Sequence, residues 1–128
     1  MTWTDAWIGL RYTARGRGPA YDCLGLFLAL QRVRKGRELP DPLCTMTAAL
    51  REDLARQHLI EGHDWRPVQR AQEGDALLFR LGRRPLHIAY AVDARTMLHI
   101  ETDGAGSCVE DFTGPRWRGQ LQGIYRLV

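Results

Sequence analysis

Hydrophobic positions recur at two different periods along this chain. From Asp22 to about Lys35 the apolar residues Leu24, Phe27, Leu28 and Leu30 form a stripe at helical spacing, running on to Val33. Thr45 to Ile60 repeats that spacing with Met46, Leu50, Leu54 and Leu59, and predicts a second long helix. A short amphipathic helix is expected at the start, near Asp5 to Leu10, carrying Trp3, Trp7 and Ile8. From Trp65 onward the pattern turns to strands. Trp65 to Val68 reads as an edge strand, because it contains Pro67. Strands follow at Ala76–Leu81, Leu86–Asp93, Met97–Thr102, Ser107–Phe112 and Leu121–Val128. Breaks at Glu73-Gly74-Asp75, Gly82-Arg83-Arg84-Pro85 and Asp103-Gly104-Ala105-Gly106 separate them. Helices first and strands second predict an α+β domain, with the N-terminal helices packed on an antiparallel sheet.

At 128 residues the chain is long enough for one domain with a core, and residues 1–128 read as that single domain. Apolar content of 45% and charged content of 26% place it among ordinary globular proteins. The net charge of +3 is too mild to select a polyanionic partner, and no basic helix interleaved with aromatics is present, so nucleic-acid binding is not expected. No stretch is apolar for long enough to insert into a membrane, and the N-terminus lacks the basic-then-apolar order of a cleaved leader. Synthesis in the cytoplasm without a signal peptide is the expectation. The cysteines, Cys23, Cys44 and Cys108, are odd in number and share no CxxC spacing, which argues against a disulfide framework and a zinc ribbon.

Cys23 is the chemically informative one. Arg15-Gly16-Arg17-Gly18-Pro19 cannot hold a helix or strand, and the helical stripe starts just after it. Cys23 therefore falls in the first turn of a buried helix, with Asp22 as the N-cap and Gly36 as the stop. Unpaired N–H groups and the partial positive charge of a helix start favour thiolate, the nucleophilic form. Two histidines lie within predicted strands. Alternation groups His87 with Ala89 and Ala91, and His99 with Met97 and Glu101. A two-residue hairpin loop at Ala94-Arg95 puts the histidines on opposite faces. A three-residue loop, Asp93 to Arg95, pairs Ala89 with His99 and makes His87 and His99 diagonal neighbours, about 7–8 Å apart at the backbone. Ala89 and Ala91 would then leave room for a helix terminus. A cysteine and two imidazoles in that arrangement form a cysteine hydrolase, with Cys23 as nucleophile, His87 as base, His99 as orienting partner and the Cys23 N–H as an oxyanion donor. The same residues offer only three zinc ligands, so no metal and no cofactor is expected. Cys44 and Cys108 read as bystanders, His58 and His63 as a polar helix end, and Glu101 as an alternative orienting group.

Tyr12…Asp22-Cys23-Leu24-Gly25-Leu26, Gly74-Asp75-Ala76-Leu77-Leu78-Phe79, Leu86-His87-Ile88-Ala89-Tyr90 and Met97-Leu98-His99 resemble, in order and spacing, the NlpC/P60 family. Trp7-Ile8-Gly9-Leu10-Arg11-Tyr12, Leu39-Pro40-Asp41-Pro42, Ser107 to Phe112 and Gly123-Ile124-Tyr125-Arg126 look most like its phage tail-assembly branch. The resemblance implies a papain-like core and hydrolysis of peptidoglycan stem peptides, typically at a γ-D-glutamyl–diaminopimelate bond. It implies Cys23, His87 and His99 as the triad, Tyr12 as a positioning or oxyanion group, and Asp22 as a substrate contact besides its capping role. It implies a virion- or tail-associated protein that meets phage-like tail proteins and acts in the periplasm or at the cell wall. The chain departs from the common pattern at Leu24, where serine is usual, at Ala89, where glycine is usual, and at Gly16 and Gly18, which stand where a glycine pair is expected. Two alternatives remain: a non-catalytic tail-tip subunit, and an acyltransferase or thioesterase on the same fold.

Overall fold

The computed structural model describes residues 2–39, 41, 65–80, 87–101 and 104–128. A 3-10 turn, Trp3–Trp7, opens the chain, shorter than the amphipathic helix expected there and starting before it. The helix α1, Cys23–Lys35, follows. Among the described residues six strands come next: β1 Trp65–Val68, β2 Ala76–Phe79, β3 His87–Ala91, β4 Thr96–His99, β5 Cys108–Asp111 and β6 Leu121–Leu127. A single turn of helix, α2 (Pro115–Arg118), stands between β5 and β6. The expected helix from Thr45 to Ile60, Cys44, His58, His63, and the break from Gly82 to Pro85 lie outside the described residues.

The strands form one antiparallel sheet in the order β1-β6-β2-β3-β4-β5. β1 is an edge strand as expected, and the edge tolerates Pro67 opposite Tyr125. The chain-terminal β6 inserts between β1 and β2, a long-range placement that periodicity does not reveal. α+β architecture is borne out.

α1 begins where its chemistry predicts. Asp22 holds an extended backbone and its Oδ1 accepts the Gly25 N–H at 2.6 Å. Gly36 ends the helix at φ 65°, and Arg32, Arg34 and Lys35 lie in the last turn, where cations complement the dipole. Every residue from Cys23 to Gln31 is buried. Gln31 tolerates this because its Nε2 donates to the Gly74 carbonyl at 2.7 Å. Leu24, Leu26, Phe27 and Leu30 are among the most deeply buried side chains, each contributing roughly 1.5–3 kcal/mol of transfer free energy.

The core is split by the sheet. On one face α1 packs on Ala76, Leu78, Ile88, Tyr90, Leu98 and Ile100. On the other, Leu77, Phe79, Ala89, Ala91 and Met97 pack with Phe112 and the α2 residue Trp117. The space left by Ala89 and Ala91 is therefore filled by Phe112 and Trp117, rather than by the start of α1.

Candidate active site

Alternation along β3 and β4 sends His87 and His99 to the Trp117 face, since Ile88 and Leu98 belong to the α1 face. The hairpin register is the three-residue alternative: Tyr90 pairs with Leu98 and Ala91 with Met97. Asp93 enforces it. Its Oδ1 accepts the Arg95 N–H at 2.9 Å, the Thr96 N–H at 2.8 Å and the Thr96 hydroxyl at 2.9 Å, while the Val92 N–H closes on the Thr96 carbonyl at 2.9 Å. The register makes the two imidazoles diagonal neighbours, with His87 Nε2 2.8 Å from His99 Nδ1.

The chain of hydrogen bonds continues to a residue that the sequence reading did not single out. His99 Nε2 lies 2.8 Å from Glu110 Oε2 on β5. The same carboxylate oxygen accepts the Trp117 indole N–H at 2.8 Å, and Oε1 accepts from Arg116 at 3.1 Å. Glu101, the alternative orienting group, is instead held by both of its oxygens to Arg116 at 2.9 Å. Trp117 also stacks on His87 at 5.8 Å and 22°, and meets His99 edge-on at 5.1 Å. One tryptophan thus fixes both rings and the carboxylate. The signal for Glu110 was the pairing of β5 on β4: with Cys108 opposite His99, alternation brings Glu110 to the same face.

Burial is nearly complete here. His99 is 1% exposed and His87 6%. Burial holds His99 below the ordinary imidazole value, against the hydrogen bond and charge of Glu110, which pull it up. A neutral His99 whose Nε2–H donates to Glu110 presents a lone pair at Nδ1. His87 Nε2–H donates to that lone pair, leaving His87 Nδ1 as the nitrogen that faces away from the relay.

Cys23 is the first residue of α1, and His87 the first of β3. The far ends of both elements are tied together: Gln31 and Arg34 of α1 bond Gly74 and Glu73, and the Gly74 N–H donates to the Ala91 carbonyl at 3.0 Å. α1 therefore runs parallel to β3, and its Cys23 end lies toward the His87 end of the strand. Cys23 is 4% exposed.

The loop before Cys23 is seated on the first turn of α1. A Cβ at Gly25 would stand 1.9 Å from the Gly16 carbonyl oxygen, so this approach requires glycine. Arg17 donates to the Gly16 carbonyl at 3.0 Å and to Asp22 Oδ1 at 2.8 Å, and also pairs with Asp41. Asp22 Oδ1 thus serves the cap and Arg17 together, while its Oδ2 is buried with no hydrogen-bond partner among the described residues. Tyr12 is bridged in parallel to Tyr21, which sets its backbone beside the Asp22-Cys23 segment. Tyr12 lines an open cavity of about 380 Å³ with Arg11, Thr13, Pro19 and Ala20.

No family model matches the sequence, and no curated protein matches it. Solved structures do resemble its fold. An NLP/P60 family protein similar to lipoprotein, from Staphylococcus aureus subsp. aureus Mu50, superposes with a TM-score of 0.67 at 20% identity, covering 96% of this chain and 38% of that one. The NlpC/p60 domain of the peptidoglycan hydrolase SagA gives 0.65 at 18% identity, covering 97% and 92%. NlpC1 from Trichomonas vaginalis gives 0.66 at 20% identity, covering 97% and 41%. This chain therefore spans well under half the length of two of these proteins, and it carries the fold of NlpC/P60 domains.

Proposed function

We propose that this chain is a cysteine endopeptidase or amidase that cleaves peptidoglycan stem peptides, at a bond of the γ-D-glutamyl–diaminopimelate type. The observation that carries the reading is the hydrogen-bonded series His87–His99–Glu110, set at the end of the sheet toward which α1 directs Cys23. In the proposed reaction the Cys23 thiol gives its proton to His87 Nδ1, and the sulfur attacks the scissile carbonyl carbon. N–H groups of the first turn of α1, which the helix itself does not use, stabilise the oxyanion. His87 returns the proton to the departing amine, leaving a thioester. Water then attacks the thioester, its proton passing through His87 to the departing Cys23 sulfur. His99 and Glu110 are positioning residues: they hold His87 in the tautomer that has its lone pair at Nδ1. Tyr12, through its cavity, and Asp22, beside the nucleophile, are the proposed substrate contacts.

The resemblance of fold to the NlpC/p60 domain of a peptidoglycan hydrolase supports the substrate class. The sequence blocks around Trp7–Tyr12 and Leu39–Pro42 support a phage or phage-derived tail setting, with tail proteins as partners and the periplasm or cell wall as the place of action. Purified peptidoglycan incubated with the protein should release stem-peptide fragments, and Cys23→Ala should release none while keeping its melting temperature. Equal release by the variant would exclude the mechanism. The near-complete burial of Cys23 favours a second reading, a non-catalytic tail-tip subunit, in which no fragments appear with either protein.

A further inference from the structure

Cys108, a bystander by sequence, stands beside the relay. Its Sγ is 3.7 Å from His99 Nε2, and His99, Cys108 and Glu110 each offer a ligand atom within 4.8 Å of the others. We propose that these three residues bind a zinc-class divalent ion, and that its binding switches off the site described under Proposed function, on which reading the second half of this inference rests.

The chemistry of the set is selective. Thiolate, imidazole and carboxylate together suit zinc and its neighbours rather than magnesium or calcium. Tetrahedral zinc places a sulfur and a nitrogen ligand roughly 3.5 Å apart, and the observed 3.7 Å is close to that. Two nitrogen or oxygen ligands sit about 3.3 Å apart, so Glu110 Oε2 has to draw back about half an ångström from His99. Cys108 and Glu110 line an open cavity of about 570 Å³, which supplies an entry path and a fourth position for water. Arg116 and Trp117 continue to hold Glu110 from outside the ligand set, as groups that orient a metal ligand do.

Binding rearranges protons in a defined way. Cys108 gives its thiol proton to solvent. His99 gives its Nε2 lone pair to the metal, so its proton moves to Nδ1 and is donated to His87 Nε2. His87 Nε2 changes from donor to acceptor, and the neutral ring then carries its proton at Nδ1. That nitrogen no longer accepts the proton of Cys23, and the base is lost without any contact between metal and nucleophile.

Cobalt(II) added to the full chain should give a near-ultraviolet thiolate charge-transfer band that saturates at one equivalent. Cys108→Ser should remove it, and Cys23→Ala should retain it. No band, or a band lost with Cys23→Ala and kept in Cys108→Ser, overturns the site. Zinc should lower peptidoglycan cleavage at least tenfold, a chelator should restore it, and Cys108→Ser should cleave with or without zinc. Zinc-insensitive cleavage by a protein that shows the cobalt band overturns the switch alone. Absence of cleavage in the metal-free protein overturns the hydrolase reading and the switch, while the cobalt band still decides the metal site. Unchanged circular dichroism in Cys108→Ser and Glu110→Gln excludes misfolding, and Glu110→Gln should weaken cobalt binding at least tenfold.

Discussion

The two faces of the sheet are built on different principles. The α1 face is a packed apolar layer, with Phe27, Leu30, Ile88, Leu98 and Ile100 almost wholly withdrawn from water. The α2 face carries apolar residues too, but threads through them a polar series of two imidazoles, a carboxylate and an indole N–H. The first face stabilises the strands through apolar burial alone. The second spends part of that stability on buried polar groups, each satisfied by the next, since a break in such a series leaves an unpaired group in a low-dielectric setting. Loss of stability and loss of chemistry should therefore separate between the faces.

The largest effect is expected on the α1 face. Phe27→Ala should lower unfolding free energy by about 3–5 kcal/mol, measured by denaturant titration, because it leaves a cavity against Trp65 and Tyr90. A loss below 1 kcal/mol would show that this face does not dominate. Gly25→Ala should cost about 1–3 kcal/mol, because its methyl meets the Gly16 carbonyl and must displace the loop. Wild-type stability there would mean that the loop is not seated as described. On the α2 face, Glu110→Gln should cost at most about 1.5–3 kcal/mol of stability, the worth of a hydrogen bond to a charged group, and reduce peptidoglycan cleavage by roughly 10–100-fold. Unaltered cleavage would remove Glu110 from the relay. Trp117→Phe, which keeps a ring beside His87 but deletes the indole donor, should lower cleavage by only a few fold.

The pH dependence carries the same signature. Because burial depresses the His99 value in the folded chain, the neutral ring is the form the fold favours. Its contribution to stability is complete above the unfolded imidazole value of about 6.5 and is lost as pH falls below it. Protonated His99 also carries a hydrogen at Nδ1, which opposes the His87 Nε2–H. Cleavage and stability should decline together on the acid side in wild type. In His99→Gln the stability decline should be smaller. An identical acid profile in both would contradict the assignment.

What was legible in the sequence was local. Asp22 as cap, Gly36 as stop and the strand at Ala76 follow from residue chemistry within a few positions. The hairpin left two registers open, and the Asp93 side chain chose between them through three short bonds. Glu110 and Trp117 were not legible, because their roles depend on which strand β5 joins and on where a four-residue helix folds back. Gly114-Pro115 was the one local sign of that helix, with proline in its first turn. Cys108 was set aside for the same reason: its neighbour His99 lies nine positions away and becomes adjacent only through the β4–β5 pairing.

The central claim is that Cys23 is activated by His87. Peptide-resolved mass spectrometry of iodoacetamide labelling at pH 6 tests it most directly, since an ordinary thiol with a pKa of about 8.5 is almost wholly protonated there. Cys23 should label much faster than Cys108, whose thiol burial and the neighbouring carboxylates push up to about 11, and His87→Ala should slow Cys23 at least tenfold. Slow labelling of Cys23 in the wild-type chain, or a rate indifferent to His87, would contradict the account.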